Sequence, residues 1–224
     1  MNLSKIFASV QSKALAIAFG FSFLVFASPA SAHHPMGGRV PSNFFEGFMS
    51  GLAHPVIGLD HLAFIVAVGL FAALKPQGFL IPLFFVLSAM LGTGLHLMGV
   101  NLPVVELVVP TSILLFGVFL TTKTSPNALV MIALSAVSGL FHGHAYGEAI
   151  FGAQTTALVS YLVGFTLIQL VISGSAFLVG QKVLKGDFFQ VSPSLKSAGL
   201  VICGIGATFL ASNISALLLP VPKG

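Results

Sequence analysis

The sequence predicts an all-α membrane protein with six transmembrane helices, preceded by a cleaved N-terminal signal peptide and a short half-helix. Three observations predict it. Of 224 residues, 56% are hydrophobic and 6% charged, and mean hydropathy is +1.05, far from the balance of a soluble domain. The apolar residues fall into stretches of about 20, the length that crosses a bilayer. Short separators rich in Gly, Pro and Lys divide them. A spanning chain must satisfy its backbone hydrogen bonds internally, which selects helices.

Residues 1–32 read as the signal peptide. Lys5 and Lys13 form its positive region, Ala14 to Ala27 its apolar region, and Ala30-Ser31-Ala32 its cleavage site. The apolar region is short for a span and ends in Ser28-Pro29, which favours cleavage over an uncleaved anchor. The mature chain, residues 33–224, then forms a single domain starting at His33. Losing two lysines lowers the formal charge from +4 to +2. The remaining basic residues have a topological explanation, so no nucleic-acid partner is expected.

Phe44, Phe45, Phe48, Met49 and Leu52 recur at helical spacing, so Asn43 to Ala53 is read as a half-helix before a kink at His54-Pro55. Six spans follow at about 56–74, 79–99, 102–121, 127–146, 154–180 and 196–219. Lys75-Pro76-Gln77-Gly78, Gly99 to Pro103, Lys123 to Asn127 and Gly147 to Gln154 supply turns between them. The connection holding Lys182, Lys185, Asp187, Pro193 and Lys196 is longer. Gly92 and Gly94, Gly164, and Gly199 to Gly206 read as sites of close helix packing. Gln169, deep in the fifth span, lines a path or bridges helices. The single Cys203 supports neither a disulfide nor a thiolate site and reads as packing.

Lys75, Lys123, Lys182, Lys185 and Lys196 occupy alternate loops, the first, third and fifth. Short loops that retain Lys stay cytoplasmic. Both mature termini therefore face outward, in agreement with an exported N-terminus, and a bacterial inner membrane is the expected location. Every one of the seven histidines then falls on the outer side. His33 and His34 open the mature chain and His54 precedes the first span, whose first turns hold Asp60 and His61. His96 closes the second span, Glu106 opens the third, and His142, His144 and Glu148 close the fourth. Ionisable groups at membrane depth are costly and usually functional. Imidazole with carboxylate suits a borderline divalent metal such as nickel, cobalt, zinc or copper.

Spacing separates these residues by role. His144 and Glu148 are four apart and share a helical face. His142 and His144, two apart, point about 200° from each other on a helix, so either Gly143 breaks the helix or the two do different jobs. Blander accounts exist: His96 as an inter-helix hydrogen bond, Glu106 as a residue complementing a helix dipole, and Asp60 with His61 as a pinning ion pair. His33 and His34 lie in a Gly- and Pro-rich stretch, where cleavage would place a terminal amine beside an imidazole.

His54-Pro55, Gly58, Asp60 and His61 complete an H-P-x-x-G-x-D-H pattern, continued by Val68, Gly69 and Ala72, with Phe141-His142-Gly143 and Gly147-Glu148 in the fourth span. By these the chain resembles the HupE/UreJ family of hydrogenase and urease accessory membrane proteins over essentially its whole length. It departs at Ile65, where the family pattern leads one to expect methionine, which removes a thioether donor. The resemblance implies nickel permeation into the cell for hydrogenase or urease assembly. His33, His34 and His54 would recruit the ion, Asp60, His61, His142 and Glu148 would form a deeper site, and His96 and His144 would be further ligands.

No Walker-type phosphate loop occurs and no organic cofactor is expected, so facilitated diffusion or secondary transport is the expectation, without enzymatic activity. The rivals are a membrane metal-dependent or haem enzyme, and a metal-binding sensor or assembly partner. Expected partners are the divalent ion and the bilayer; a homo-oligomer and metalloenzyme-maturation proteins stay open.

Overall fold

The computed structural model describes residues 39–122, 126–184 and 192–219, which form helices and short connections without strands. Seven helices follow in order: α1 (Phe44–Ile57), α2 (Leu59–Ala72), α3 (Leu80–Leu97), α4 (Val105–Thr121), α5 (Ala128–Glu148), α6 (Thr155–Leu184) and α7 (Pro193–Leu218). The expected signal peptide, His33, His34, Lys123, Lys185, Asp187 and Lys223 lie outside the described residues.

α3, α5, α6 and α7 are each long and apolar enough to cross a membrane. α1 and α2 meet the same test only as a pair bent by 78°, and α4 is apolar but shorter. Four to five candidate spans thus fit a multi-pass membrane protein. The predicted boundaries of α3 to α7 are met within a few residues.

The entry into the bundle departs from expectation. Instead of kinking at His54-Pro55, α1 runs through Pro55 to Ile57, and the break falls at Gly58. Pro55 removes one intrahelical hydrogen bond, to the Gly51 carbonyl, and one missing bond does not end this helix. Gly58 does, because its ψ of 98° takes the backbone out of the helical region. Its N–H still reaches the His54 carbonyl at 3.1 Å, and its carbonyl accepts the Leu62 N–H at 2.8 Å. α2 is left with 14 residues, too few to span alone.

Side chains fix the other helix starts. The Asn43 side chain accepts the Glu46 N–H at 3.0 Å, while the Glu46 carboxylate accepts the Ser42 N–H and hydroxyl at 2.9 and 2.8 Å. Asn127 caps α5, and Ser192 caps α7 ahead of Pro193. At the α2–α3 turn, burial pushes the Lys75 ammonium below the ordinary lysine pKa, and its nitrogen lies 5.7 Å from the Phe71 ring centre.

Small residues let backbones approach, and the pairs they make set helix directions. α3 and α5 run parallel: Gly139 opposes Phe85, Gly143 opposes Ala89, and Ser135 donates to the Ile81 carbonyl at 3.0 Å. A Cβ on Gly143 would sit 1.9 Å from the Ala89 carbonyl oxygen. α6 runs parallel to α1 through Gly47, Gly51 and Gly164, and to α2 through Gly69. α4 and α7 are antiparallel, with Gly117 against Gly199 and Cys203, and Gly206 against Leu114. Gly94 corrects the expected packing pair, since among the described residues nothing lies within 4 Å of a Cβ there. Pro110 deprives the Glu106 carbonyl of its helical donor, and the Asn213 amide from α7 donates to that oxygen instead.

These directions gather the ends. The C-termini of α3 and α5 meet through His96 and His144, the N-terminus of α6 reaches α1 through Tyr161 and His54, and Glu106 meets Asn213. Lys75, Lys182 and Lys196 occupy the opposite helix ends. The apolar core between contains Phe64, Phe71, Phe85 and Phe116, all with no exposed surface.

Candidate metal centre

α5 is continuous from Ala128 to Glu148, so Gly143 does not break it and the two internal histidines diverge. His142 turns to α2, His144 to α3. The structure therefore sorts the described histidines into an inner and an outer group.

In the inner group, His61 and His142 bring their Nδ1 atoms to 2.9 Å, with ring centroids 5.1 Å apart. Both are buried, His142 completely. The other His142 nitrogen, Nε2, is 3.0 Å from the Ser112 hydroxyl on α4. Phe64 stacks on the His142 ring at 4.4 Å and Phe85 approaches edge-on at 5.9 Å, so the pair rests on an aromatic floor. Asp60 accepts the His61 N–H at 2.8 Å and stands in the first turn of α2, where the helix dipole favours a carboxylate.

His54 joins from α1 across the Gly58 break, its ring centroid 6.0 Å from that of His61. Its Nδ1 meets the Tyr161 hydroxyl at 3.0 Å, and that hydroxyl lies 3.1 Å from the Tyr146 carbonyl, to which it donates. A phenol has one proton. Donation to the carbonyl leaves Tyr161 as acceptor from His54 Nδ1–H, which places the acceptor nitrogen of a neutral His54 at Nε2. Tyr146 packs 4.3 Å from His61 and 5.1 Å from His54, ring centre to ring centre. Among the described residues its buried hydroxyl has no hydrogen-bond partner. An orphaned buried hydroxyl costs about 1–3 kcal/mol, so this pocket has polar capacity in reserve beside two imidazoles.

The outer group pairs His96 and His144, Nδ1 to Nδ1 at 3.4 Å. His144 Nε2 faces the Val100 carbonyl at 2.9 Å, to which its N–H donates; the Leu102 N–H approaches the same nitrogen at 3.3 Å, and one tautomer accommodates only one of these bonds. Glu148 is exposed at the end of α5, within electrostatic range of His96. Its carboxylate thus acts on the outer group through His96, whereas the motif places it in the deeper site with Asp60, His61 and His142. Glu106 is also exposed, in the first turn of α4. Among the described residues no three His, Cys, Asp or Glu side chains converge as a ready-made metal cage. The arrangement offers pairs that need further donors.

Three participants escaped the sequence reading. Tyr146 lies one helical turn after His142 on the same face, a signal that was available; Tyr161 and Ser112 come from distant helices and carried none. Among the described residues, Gln169 makes no amide bond to another helix: its nitrogen donates to Phe165 of its own helix at 3.1 Å, and its buried Oε1 has no partner.

Residues 21–209 match the family model described as HupE / UreJ protein. Protein HupE of Rhizobium leguminosarum bv. viciae is 28% identical over 141 residues, covering 62% of this chain and 70% of that protein. No solved structure matches. With a family match across most of its length, including both histidine groups, this chain belongs to the HupE/UreJ family.

Proposed function

We propose that this protein carries a divalent transition metal, with nickel as its cargo, from the periplasm into the cell for hydrogenase or urease maturation. The observation that carries the proposal is the buried His61–His142 pair, with Asp60, His54 and the unpartnered Tyr146 hydroxyl around it. Two nitrogens about 2.1 Å from one ion lie ~3.0 Å apart at right angles and ~3.4 Å apart in a tetrahedron. The 2.9 Å separation is that of an N–H···N hydrogen bond between the rings, close enough for both nitrogens to turn onto one ion in place of that proton; square-planar or tetragonal nitrogen sites favour nickel or copper. His54, Asp60 or water would complete the shell after small rotations. The choice of nickel rests on the family resemblance.

In this proposal the bent α1–α2 pair and α4 each serve as a crossing, which gives six spans. Alternate crossings make α3 parallel to α5, α6 parallel to the first span, and α4 antiparallel to α7, in agreement with the observed packing. The lysine-bearing ends then face the cytoplasm and the histidine end the periplasm. His33 and His34, exposed at a new terminus by signal cleavage, deliver the ion to the outer His96, His144 and Glu148 group, and the inner pair receives it. The chain is a carrier without catalytic activity, set in the bacterial inner membrane.

One observation favours a rival. Fully buried Phe64 and Phe85 pack on His142, and Phe116 packs on Phe64, an apolar floor that suits a sensor that binds metal without passing it. Nickel flux into sealed proteoliposomes, with Asp60→Ala and His61→Ala proteins of matched insertion, tests the two. Uptake by the native protein that is lost in both variants is expected; tight nickel binding without flux would make the protein a sensor, and normal flux in Asp60→Ala would overturn the site.

A further inference from the structure

We propose that Ser112 is a positioning residue for the inner site: it holds His142 as the Nε2–H tautomer, leaving the Nδ1 lone pair facing His61 and an incoming ion. The inference rests on the reading of His61 and His142 as metal ligands.

The hydrogen-bond accounting begins at a backbone carbonyl, which can only accept. The Ser112 Oγ lies 2.6 Å from the Val109 carbonyl, one turn back on α4, and gives its single proton there. The same oxygen is 3.0 Å from His142 Nε2. With its proton committed, the hydroxyl accepts, so Nε2 carries the hydrogen. A neutral imidazole has one N–H, and Nδ1 is therefore bare. It lies 2.9 Å from His61 Nδ1, which is the donor in the absence of metal. The chain of donors runs from His61 to His142 to Ser112 to Val109, and only one direction satisfies every member.

Packing lends the serine leverage. Phe64 and Phe85 confine the His142 ring from its face and edge, and Ser112 is itself buried. The ring has little freedom to flip, so the proton's position decides which nitrogen offers electrons to the shared space. Metal-binding histidines are commonly oriented this way by an acceptor on the far nitrogen, whose removal typically weakens metal affinity about 10–100-fold.

The test uses full-length protein labelled with ¹⁵N-histidine in liposomes, with ring-nitrogen chemical shifts assigned through His142→Gln and nickel affinity measured on the same samples. Native protein is expected to show His142 protonated at Nε2. Ser112→Ala should lose that tautomer preference and bind nickel about 10–100-fold more weakly, while Ser112→Thr keeps both. Should Ser112→Ala fail to fold, Ser112→Cys, a weaker acceptor, should show a partial shift of tautomer. An Nδ1–H tautomer in native protein, or an unchanged tautomer in Ser112→Ala or in folded Ser112→Cys, would overturn the inference even if nickel is transported. Absence of flux with the expected tautomers would instead remove the transport proposal and leave the role of Ser112 intact.

Discussion

Gly58→Ala is the most informative single substitution, because it perturbs the inner site without removing a functional group. The backbone there has φ −72° and ψ 98°, which alanine can adopt without left-handed strain. The difficulty is the space. A Cβ at position 58 would lie 2.8 Å from His61 Cδ2 and 3.1 Å from an Asp60 carboxylate oxygen, whereas ordinary contact begins at 3.4 Å. The His61 ring must therefore retreat by about 0.6 Å, and small-to-large strain of this kind costs about 1–3 kcal/mol. A ring displaced on that scale spoils the 2.9 Å approach of His61 to His142. We expect nickel affinity to fall about tenfold or more, since 1.4 kcal/mol corresponds to a factor of ten. Titration calorimetry in nanodiscs would measure it, with Gly94→Ala as the control because nothing lies near its added methyl. Native-like nickel affinity in well-folded Gly58→Ala would refute the view that the break at Gly58 exists to seat His61 and Asp60.

Gly143→Ala places a methyl 1.9 Å from the Ala89 carbonyl oxygen; it should part α3 from α5 and cost at least the upper end of about 1–3 kcal/mol, read as a large fall in melting temperature in detergent. Tyr161→Phe removes the bond to His54 and the one to the Tyr146 carbonyl, and should destabilise by about 1–3 kcal/mol while loosening nickel binding; an unchanged melting temperature would contradict those bonds. Gln169→Leu discards a buried oxygen with no partner among the described residues, together with the amide bond to the Phe165 carbonyl; the two offset and stability should change by less than about 1.5 kcal/mol, and a loss well beyond that of one hydrogen bond would show that the oxygen has a partner. In a Cys203→Ser background, an impermeant thiol reagent added outside intact cells should label Asn101→Cys but not Pro76→Cys, and the opposite pattern would invert the proposed orientation.

Much of the helical layout was legible because the bilayer imposes one length and one backbone solution on every crossing. The boundaries of α3 to α7 follow from hydropathy, and the histidine-rich end follows from lysine placement. The entry helix was misread because Pro55 is a strong local signal while the decisive geometry belongs to Gly58, whose value lies in the space it leaves for His61 and Asp60. Gly94 was misread for a related reason: a glycine pair in sequence says nothing about which member faces a neighbour. Glu148 was grouped with His142 by motif, but six positions along a continuous helix carried it to the outer group.

The sequence by itself determined the all-helical class, the positions of most helices, the family and the residue types that suit a divalent ion, because composition, periodicity and motif are properties of the linear chain. Helical spacing left two outcomes for His142 and His144, a break at Gly143 or different partners, and the unbroken α5 selected the second. Only the tertiary structure decided those partners. Parallel packing of α3 against α5 brought His96 to His144, the bend at Gly58 brought His54 and His61 into one pocket, and α4 delivered Ser112 behind His142. The first and third meetings join residues far apart in the chain, at distances set by how closely glycine and alanine let two backbones approach; His54 and His61 are near in sequence, and the backbone bend at Gly58 sets their approach.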